Sequence, residues 1–342
     1  MDPAKKKVLI LATGGTIACV STAQGFVPGV TAEELTQYVP ELPEIAQVTT
    51  KQLMNIDSSD MRPHDWKTIA RTIASQMKGV DGIVITHGTD TMCYTAAALS
   101  FSLPNLKIPV ILTGAQQPMT VSGSDAASNL LEACIGATMA PPGVYVAFNH
   151  KLIHGPRAFK MYAKNVDAYV SRNFPDLGHF TPDHKLAMDH KAKTYETADK
   201  SQTLNTKLVD DVFLLKMTPC TNADVLDFVY QQGYQGLVIE GFGTGGISNL
   251  NRGMYATMRE LIQTHEIPVL MISQCPYDGV NLAVYGIGEQ ALELGVIPGQ
   301  DMTTEAALVK MMWALGQAPH QMDELSRLLG ENICDEMTEG NS

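Results

Sequence analysis

Two loops near the start of the chain combine threonine with glycine, each directly after an apolar run. The first loop reads TGGT at residues 13–16, and the second reads THGTDT at residues 86–91. Glycine has no Cβ, so backbone N–H groups in such loops can approach a bound molecule closely. A threonine hydroxyl becomes a nucleophile once a neighbouring base takes its proton. The two loops therefore offer hydroxyls for nucleophilic chemistry, although each loop alone also fits a simple turn.

A lysine is one candidate for the base that such a hydroxyl needs. Lys160 lies in a polar, loop-like stretch that follows the apolar run 144–148 and contains Asn149, His150 and Arg157. A lysine amine can accept a proton when its surroundings favour the neutral form. By itself, the local pattern favours a solvated surface lysine.

Two further polar runs have both a structural and a functional interpretation. The run DSSD at 57–60 predicts the cap of a helix that begins near Met61, and its side chains also suit the charged groups of an amino acid. The run TDT at 89–91 predicts a helix N-terminus, where Asp and Thr satisfy free N–H groups. The partial positive charge of such an end favours a carboxylate or a developing oxyanion.

Several well-known site motifs are absent from the sequence. There is no G-x-x-x-x-G-K-[ST] phosphate loop, no H-E-x-x-H zinc motif and no G-x-S-x-G nucleophile elbow. The glycine-rich run GFGTGG at 241–246 looks superficially like a dinucleotide fingerprint, but no helix pattern follows it directly, so we predict a turn. The sequence therefore predicts neither a phosphate site nor a metal site.

Alternating strand and helix patterns predict how these loops are positioned. Short runs rich in Val, Ile and Leu predict strands at 8–12, 82–86, 109–113, 144–148, 236–240 and 268–273. Apolar residues at helical spacing predict helices over 64–78, 91–103 and 124–139. We therefore predict an α/β fold with a doubly wound parallel sheet. Both threonine loops then lie at the carboxyl edge, where α/β proteins bind their ligands.

The alternation is interrupted by a polar stretch over residues 176–212, which contains three histidines and several lysines. A long irregular segment inside a compact fold is typical of a linker or a functional loop. We therefore predict a larger N-terminal domain over 1–190, a linker over 191–211 and a smaller C-terminal α/β domain over 212–342.

The length, net charge and cysteine pattern limit which classes of protein fit the sequence. The chain has 342 residues and a formal net charge of −12, which disfavours nucleic acids and anionic membranes as partners. Its six cysteines form no C-x-x-C pair, a pattern typical of free thiols in a reducing compartment. The apolar run after the N-terminal lysines is only about five residues long, too short for a signal peptide. We predict a soluble cytoplasmic protein with no membrane-spanning segment.

Taken together, five motifs resemble the bacterial-type L-asparaginases, and most closely their cytoplasmic type I branch. The motifs lie in family order and read ATGGTIA at 12–18, DSSDM at 57–61, THGTDTM at 86–92, TGAQ at 113–116 and DMTTEA at 301–306. The resemblance covers nearly the whole chain. The first and third motifs together are highly specific for this family.

The resemblance implies hydrolysis of L-asparagine to L-aspartate and ammonia without a cofactor. The family's first catalytic threonine corresponds to Thr16. Its second threonine, with the neighbouring aspartate and a lysine, corresponds to Thr89, Asp90 and Lys160. The serine that binds the substrate carboxylate corresponds to Ser58. The implied contacts to the small-molecule amide substrate are Asp57, Ser58, Ser59, Gly88 and Ala115.

The resemblance also implies an assembly and two possible mechanisms. Family members form dimers or dimers of dimers in which a neighbouring subunit usually completes each site, so we expect a homodimer or a homotetramer. Thr16 either forms an acyl-enzyme that water then hydrolyses, or assists a direct attack by water. The sequence does not separate these two routes.

The chain departs from the family at two positions. Phe26 stands where the family has a tyrosine, and a phenyl ring cannot form a hydrogen bond to Thr16 as a hydroxyl does. Glu240 stands where allosterically activated type I members have an arginine that helps hold a second asparagine. A carboxylate there disfavours the carboxylate of such a ligand. We therefore predict no effector site of that kind, although Cys275 matches the accompanying cysteine of those members.

Other functions are compatible with the same motifs. A related amidohydrolase that prefers glutamine or D-asparagine would carry them, and so does the amide-transfer protein that amidates glutamyl-tRNA. A non-catalytic amino-acid-binding protein is favoured only by Phe26. The joint presence of Thr16, Thr89, Asp90 and Lys160 argues against it.

Overall fold

A computed structural model of the chain describes residues 4–22, 25–189, 203–248, 253–284 and 286–338. The chain divides into two compact units, Met1–Asn205 and Thr206–Ser342. Each unit contains a sheet with parallel strands and helices packed against it. The predicted α/β class, with a larger N-terminal and a smaller C-terminal sheet, is confirmed.

The first unit alternates strands and helices along most of its described length. Its strands are β1 (Lys7–Gly14), β2 (Cys19–Thr22), β3 (Gly25–Pro28), β4 (Gln47–Ile56), β5 (Gly82–Thr86), β6 (Pro109–Thr113), β7 (Gly143–Phe148), β8 (Lys151–His154), β9 (Ala158–Lys160), β10 (Tyr169–Ser171), β11 (Gly178–Phe180) and β12 (Leu186–Met188). Its α-helices are α1 (Ala32–Gln37), α2 (Leu42–Ile45), α3 (Pro63–Gln76), α4 (Met92–Ser102) and α5 (Ala126–Met139). The four strands and three helices predicted in this region are confirmed.

The main sheet of this unit has the strand order β12-β11-β8-β7-β6-β5-β1-β4. The strands from β7 to β4 are parallel, whereas β8 is antiparallel to β7, β11 to β8 and β12 to β11. Parallel strands end at the same edge of a sheet, so the loops after β1, β4, β5 and β6 lie side by side. Both threonine loops are therefore at the carboxyl edge, as predicted.

Apart from the edge strand β4, the parallel strands are largely buried on both faces, which explains their continuous apolar runs. Ile10, Val84 and Ile111 pack into one core with α5, α1 and α2. Their neighbours Leu11 and Ile85 are also fully buried. They lie on the other face because successive side chains of a strand alternate. On that face α4 packs against β6 and β7 and contacts α3, so the sheet is doubly wound.

Part of the polar stretch over 176–212 is more regular than predicted. Gly178–Phe180 and Leu186–Met188 pair as the antiparallel strands β11 and β12. Three-residue strands are too short to show a period of two, so the sequence pattern does not identify them. Residues 190–202, which include most of the predicted linker, lie outside the described residues, and the linker boundaries stay a prediction.

The second unit is a smaller parallel sheet with the order β13-β14-β15-β16. Its strands are β13 (Val212–Lys216), β14 (Gly236–Gly241), β15 (Val269–Ser273) and β16 (Ile297–Pro298). Its α-helices in the described residues are α6 (Asp224–Gln231), α7 (Met254–Gln263), α8 (Gly286–Leu294), α9 (Thr304–Gln317) and α10 (Met322–Gly330). The helices α6, α7 and α8 share one core with the strands, and α9 packs against β13, β14 and β15.

The glycine-rich run after β14 forms the turn that the sequence predicts. Phe242 and Gly246 are bridged, with the backbone N–H of Phe242 2.8 Å from the carbonyl O of Gly246. Across the described ranges, none of the helices combines the length and the apolar character that a bilayer crossing requires.

Candidate active site

The loops at the carboxyl edge of the first unit's sheet pack against one another through glycines. A Cβ on Gly15 would lie 2.3 Å from the backbone N of Gly88, and a Cβ on Gly88 would lie 2.6 Å from Oγ of Ser58. A Cβ on Gly114 would lie 2.4 Å from the carbonyl O of His87. These approaches are too close for any other residue type. The loops after β1, β4, β5 and β6 therefore meet at one junction.

Gly15→Ala is expected to disrupt this junction. Gly15 has φ +82°, and Gly123 has φ +80° with no atom within 4 Å of an added Cβ. Both alanine variants meet similar backbone strain, but only Gly15→Ala also clashes with Gly88. We expect Gly15→Ala to lower the free energy of unfolding by about 1–3 kcal/mol more than Gly123→Ala. Urea unfolding of both variants measures the difference, and equal losses would contradict the close approach.

Thr89, Asp90 and Lys160 form a hydrogen-bonded group at the junction. Nζ of Lys160 lies 2.8 Å from Oγ1 of Thr89 and 2.6 Å from Oδ1 of Asp90. Thr89 is buried, the Lys160 side chain is 16% exposed and the Asp90 side chain is 68% exposed. The local interpretation of Lys160 as a solvated surface lysine is therefore wrong. The structure brings these three predicted residues together.

A tyrosine not assigned from the sequence holds the backbone of Thr89. Tyr169 is 1% exposed, and its hydroxyl donates a hydrogen bond to the carbonyl O of Thr89. It lies on β10, directly opposite Lys160 on β9. One hairpin therefore supplies both the amine at the Thr89 hydroxyl and the phenol at the Thr89 main chain. The hairpin is remote from Thr89 in sequence, so no local pattern identifies Tyr169.

The loop after β4 contributes Ser58, which is buried between its neighbours. Its Oγ accepts a hydrogen bond from the backbone N–H of Asp90 at 3.3 Å, and its carbonyl O accepts one from the Thr91 hydroxyl at 2.7 Å. The helix N-terminus predicted at 89–91 is confirmed, but Thr91 does not cap it through its side chain. The helix α4 begins at Met92, and Thr91 makes no side-chain capping bond because its hydroxyl is bonded to Ser58.

Asp57 and Ser59 form a capped turn beside Ser58. Oδ1 of Asp57 accepts hydrogen bonds from the backbone N–H of Ser59 at 2.8 Å and from its hydroxyl at 2.7 Å. These bonds, the backbone one above all, lower the pKa of the Asp57 carboxyl, so it is charged at neutral pH. Asp57 caps the 3₁₀ turn Ser58–Asp60. The helix α3 starts separately at Pro63, which corrects the predicted cap.

Thr16 begins the 3₁₀ turn Thr16–Ala18, immediately after Gly15. The residue is partly buried, and its hydroxyl has no hydrogen-bond partner within the described part of the chain. Gly15 packs directly on Gly88, so the loop that carries Thr16 adjoins the loop that carries Thr89. The structure thus places the two predicted threonines in touching loops.

The loop after β6 is fixed by a carboxylate at the start of α5. Asp125 accepts hydrogen bonds from the backbone N–H groups of Gln116 and Gln117 at 2.9 Å and 3.0 Å. Asn129, one turn further along α5, donates to Asp125 at 3.1 Å. Ala115 is fully buried within this loop. Asp125 and Asn129 carry no sequence signal of their own, because their role depends on the packing of α5 beside β6.

His87 lies between the predicted site residues but is a structural residue. Its Nδ1 lies 2.7 Å from the carbonyl O of Gly88, and its Nε2 lies 2.8 Å from Oγ1 of Thr95. A carbonyl only accepts, so Nδ1 carries the proton and Nε2 accepts from the Thr95 hydroxyl. Complete burial lowers the pKa of His87 to about 4. The imidazole is therefore neutral, and both of its ring nitrogens are hydrogen-bonded.

Cys19 lies close to the first threonine loop but is not a competing nucleophile. Its Sγ donates to the carbonyl O of Gly15 at 3.4 Å. Burial, and then the charge of Asp57, raise the pKa of its thiol, so the thiolate is disfavoured. In the portion of the chain that the structure describes, no group of three or more His, Cys, Asp or Glu residues is arranged to hold a metal ion.

The two positions at which the chain departs from the resemblance have distinct surroundings. Phe26 lies on β3, opposite Ser21 of β2 in the hairpin that follows the first loop. Glu240 lies near the end of β14, where its Oε2 is 3.0 Å from Nζ of Lys216 and its Oε1 is 2.6 Å from Oγ1 of Thr304. The carboxylate is therefore already paired within its unit. The absence of an effector site stays a prediction.

Two protein-family models match consecutive parts of the chain. The model described as "Asparaginase, N-terminal" matches residues 7–194, and the model described as "Glutaminase/Asparaginase C-terminal domain" matches residues 211–329. Together these matches cover most of both compact units.

Individual relatives match over nearly the full length of the chain. An L-asparaginase from Thermococcus kodakarensis is 39% identical over 97% of this chain and 99% of the relative. A glutamyl-tRNA(Gln) amidotransferase component from Pyrococcus abyssi is 38% identical over 98% of this chain and 78% of the relative. The solved structure of the thermostable Thermococcus kodakarensis enzyme has a TM-score of 0.89 at 38% identity, covering 98% of this chain and all of that chain. L-asparaginase I from Vibrio cholerae has a TM-score of 0.88 at 31% identity, with the same coverage.

Proposed function

Because this chain belongs to the asparaginase family, we propose that it hydrolyses the side-chain amide of L-asparagine to L-aspartate and ammonia. The observation that carries the proposal is the group of Thr89, Asp90 and Lys160 beside the loop that ends at Thr16. This junction offers a hydroxyl nucleophile on one loop and a proton-transfer group on the next. Together, a nucleophile and a proton-transfer group can cleave an unactivated amide.

Thr16 is the proposed nucleophile. Its oxygen attacks the amide carbon, its proton is passed to the departing nitrogen, and the C–N bond breaks to release ammonia. Water then attacks the ester on Thr16, the proton returns to the threonine oxygen, and aspartate leaves. The net reaction consumes only the amide and one water molecule, so it needs neither a redox nor a group-transfer cofactor. Direct attack by water on the amide, without the ester, is the alternative route.

Thr89 and Lys160 form the proposed proton-transfer pair. The Thr89 hydroxyl accepts the proton of the attacking group and passes its own proton to the amine of Lys160, 2.8 Å away. Asp90, 2.6 Å from the same amine, stabilises the ammonium that results. General acid–base catalysis of this kind typically contributes about 10²–10⁴-fold to the rate.

The loop after β4 is the proposed site for the charged groups of the amino acid. The charged carboxylate of Asp57 attracts the α-ammonium group. Oγ of Ser58 accepts a hydrogen bond from the backbone N–H of Asp90, so the Ser58 hydroxyl can still donate its own proton to the α-carboxylate. Ser59 lies beside it as a further hydroxyl. Backbone N–H groups near Thr89 and Ala115 stabilise the oxyanion, and one such donor is typically worth about 3–4 kcal/mol.

Phe26→Tyr is expected to raise kcat for L-asparagine. Within the described residues the Thr16 hydroxyl has no hydrogen-bond partner, and phenylalanine has no group to supply one. In the family, the tyrosine at this position is close enough to help activate the threonine, so we expect a gain of about tenfold or more. Steady-state kinetics measure the change, with Phe26→Leu as the control for the ring itself. An unchanged kcat in Phe26→Tyr would mean that this hydroxyl is dispensable here.

A panel of amides tests the proposed function. Ammonia release is measured with L-asparagine, D-asparagine and L-glutamine, and we expect the highest kcat/KM for L-asparagine. A higher value for another amide would reassign the substrate. No release from any amide would favour a binding protein.

The match to the glutamyl-tRNA(Gln) amidotransferase component supports a second candidate, in which the released ammonia is used on glutamyl-tRNA. The net charge of −12 disfavours direct contact with tRNA. Turnover of L-asparagine that is independent of added tRNA separates the two candidates. A strict requirement for tRNA would favour the second.

The proposed assembly is a homodimer or a dimer of dimers in the cytoplasm. Met161, Tyr162 and Val166, in the segment after Lys160, expose large apolar side chains next to the site. A subunit interface with a second copy of the chain would bury these side chains. Light scattering of the purified protein gives the assembly state, and a monomer at working concentration would contradict the proposal.

A further inference from the structure

We propose that Gln116 is a positioning residue that directs the hydroxyl proton of Thr89, a role that rests on the proposed function of this site. Oε1 of Gln116 lies 3.4 Å from Oγ1 of Thr89. Hydrogen bonds in an empty catalytic site are often long and tighten when the substrate is bound. Gln116 lies in the TGAQ motif, and its side chain has no part in the proposed bond-making and bond-breaking steps.

The orientation of the Gln116 amide is determined by its other partners. Its Nε2 lies 2.9 Å from the carbonyl O of Asn165 and 3.5 Å from the carbonyl O of Tyr162. Carbonyl oxygens only accept hydrogen bonds, so the NH₂ group must face them. The amide oxygen is then left to face Thr89. A flipped amide would put oxygen against two carbonyls and NH₂ against Thr89.

The main chain of Gln116 is fixed as well. Its backbone N–H donates to Oδ2 of Asp125 at 2.9 Å, and Asp125 is in turn held by Asn129. The residue is therefore held at its backbone by the cap of α5 and at its side-chain nitrogen by the turn between β9 and β10. An acceptor fixed at both ends can orient a neighbouring hydroxyl at little cost in side-chain entropy.

The fixed acceptor decides where the Thr89 proton lies in each protonation state of Lys160. When Lys160 is an ammonium, it donates to Thr89 at 2.8 Å, and the Thr89 proton turns to Gln116. When Lys160 is neutral, it accepts the Thr89 proton, and a lone pair of the threonine oxygen is available to the attacking group. Gln116 therefore gives the buried hydroxyl a partner after the proton has reached Lys160.

Gln116 also links the two elements that carry the proton-transfer pair. Its side chain bonds to main-chain oxygens at Tyr162 and Asn165, within the turn that directly follows Lys160. Loss of the amide would thus both remove the acceptor and loosen Lys160 relative to Thr89. Small displacements of catalytic groups are costly to the rate even when the fold is unchanged.

Two substitutions separate this role from a purely structural one. Gln116→Leu removes both the acceptor and the donors, and we expect kcat to fall about tenfold to a hundredfold with KM within about threefold of the wild type. Gln116→Glu keeps an acceptor but loses the NH₂ group that faces the carbonyls of Asn165 and Tyr162. It also adds a negative charge, which favours the ammonium form of Lys160. The rising limb of its kcat–pH profile should therefore move to higher pH. Gln117→Leu, an exposed neighbour in the same loop, is the matched control and should retain wild-type kinetics.

The outcomes distinguish this inference from the proposed function. If the wild type is active and the kcat of Gln116→Leu is within twofold of it, only the role of Gln116 is overturned. Equal losses of kcat in Gln116→Leu and Gln117→Leu would overturn that role as well. An unmoved pH profile in Gln116→Glu does the same. A wild type with no activity on any amide overturns the proposed function itself.

Discussion

Thr16→Ala is expected to abolish the hydrolysis of L-asparagine while leaving the protein folded. Removal of the nucleophile of a covalent mechanism typically costs about 10⁴-fold or more in kcat. The Thr16 side chain is only partly buried and its hydroxyl has no hydrogen-bond partner in the described ranges. Its truncation therefore removes few native contacts, and we expect Tm to change by no more than about 3 °C. Ammonia release and thermal unfolding measure the two effects.

Thr16→Ser is the matched control for this variant. It keeps the hydroxyl and removes only the methyl group, so we expect it to retain measurable turnover. Full activity in Thr16→Ala would remove Thr16 from the mechanism. A large loss of Tm together with activity would instead assign it a structural role.

Lys160→Met is expected to lower kcat by about 10²–10⁴-fold, because it removes the base that receives the Thr89 proton. Methionine has nearly the length and volume of the lysine stem, so packing beneath the ammonium is retained. Asp90 stays in contact with solvent, because its side chain is 68% exposed. The substitution therefore leaves no buried unpaired charge. Steady-state kinetics across pH measure the loss. A kcat within about tenfold of the wild type would contradict proton transfer through Lys160.

Two further lysine variants sharpen this test. Lys160→Arg keeps the positive charge beside Asp90 but cannot act as a base, so we expect it to be nearly as inactive as Lys160→Met. High activity in Lys160→Arg would show that charge alone is sufficient. Lys185→Met removes another amine from a 2.6 Å ion pair, with Asp183, in the same unit. It should leave kcat unchanged, because Lys185 is exposed.

The parallel strands could be predicted from the sequence because burial on both faces leaves a continuous apolar run. β5 and β6 are examples, with every residue buried. The pattern does not predict β4, because it is an edge strand with many exposed polar residues. β9 and β10 are three residues long, and such segments carry no usable period.

The site could be predicted in part from the same strands. Thr16 and Thr89 follow β1 and β5 directly, and the carboxyl-edge rule brings their loops together. Lys160 is different, because its approach to Thr89 depends on a hairpin that no local pattern predicts; only the family resemblance indicates it. Tyr169 and Gln116 act through hydrogen bonds between distant segments, and these contacts exist only after the chain has folded.

The local cap predictions that differ from the structure share one physical cause. Thr91 has a favourable residue type for a helix cap, but its hydroxyl is bonded to the carbonyl O of Ser58 on another loop. Asp57 caps the turn that places Ser58 rather than α3. At a junction of several loops, polar side chains have partners across the junction as well as along their own segment. Local propensity then identifies the residue but not its partner.

Hydrolysis of L-asparagine by Thr16 is tested most directly by the time course of products from purified protein and L-asparagine. Aspartate and ammonia are measured together in the wild type and in Thr16→Ala. We expect equal amounts of both products in the wild type, without any added cofactor or tRNA, and neither product above background in the variant. Absence of both products in the folded wild type, or equal rates in the two proteins, would contradict hydrolysis by Thr16.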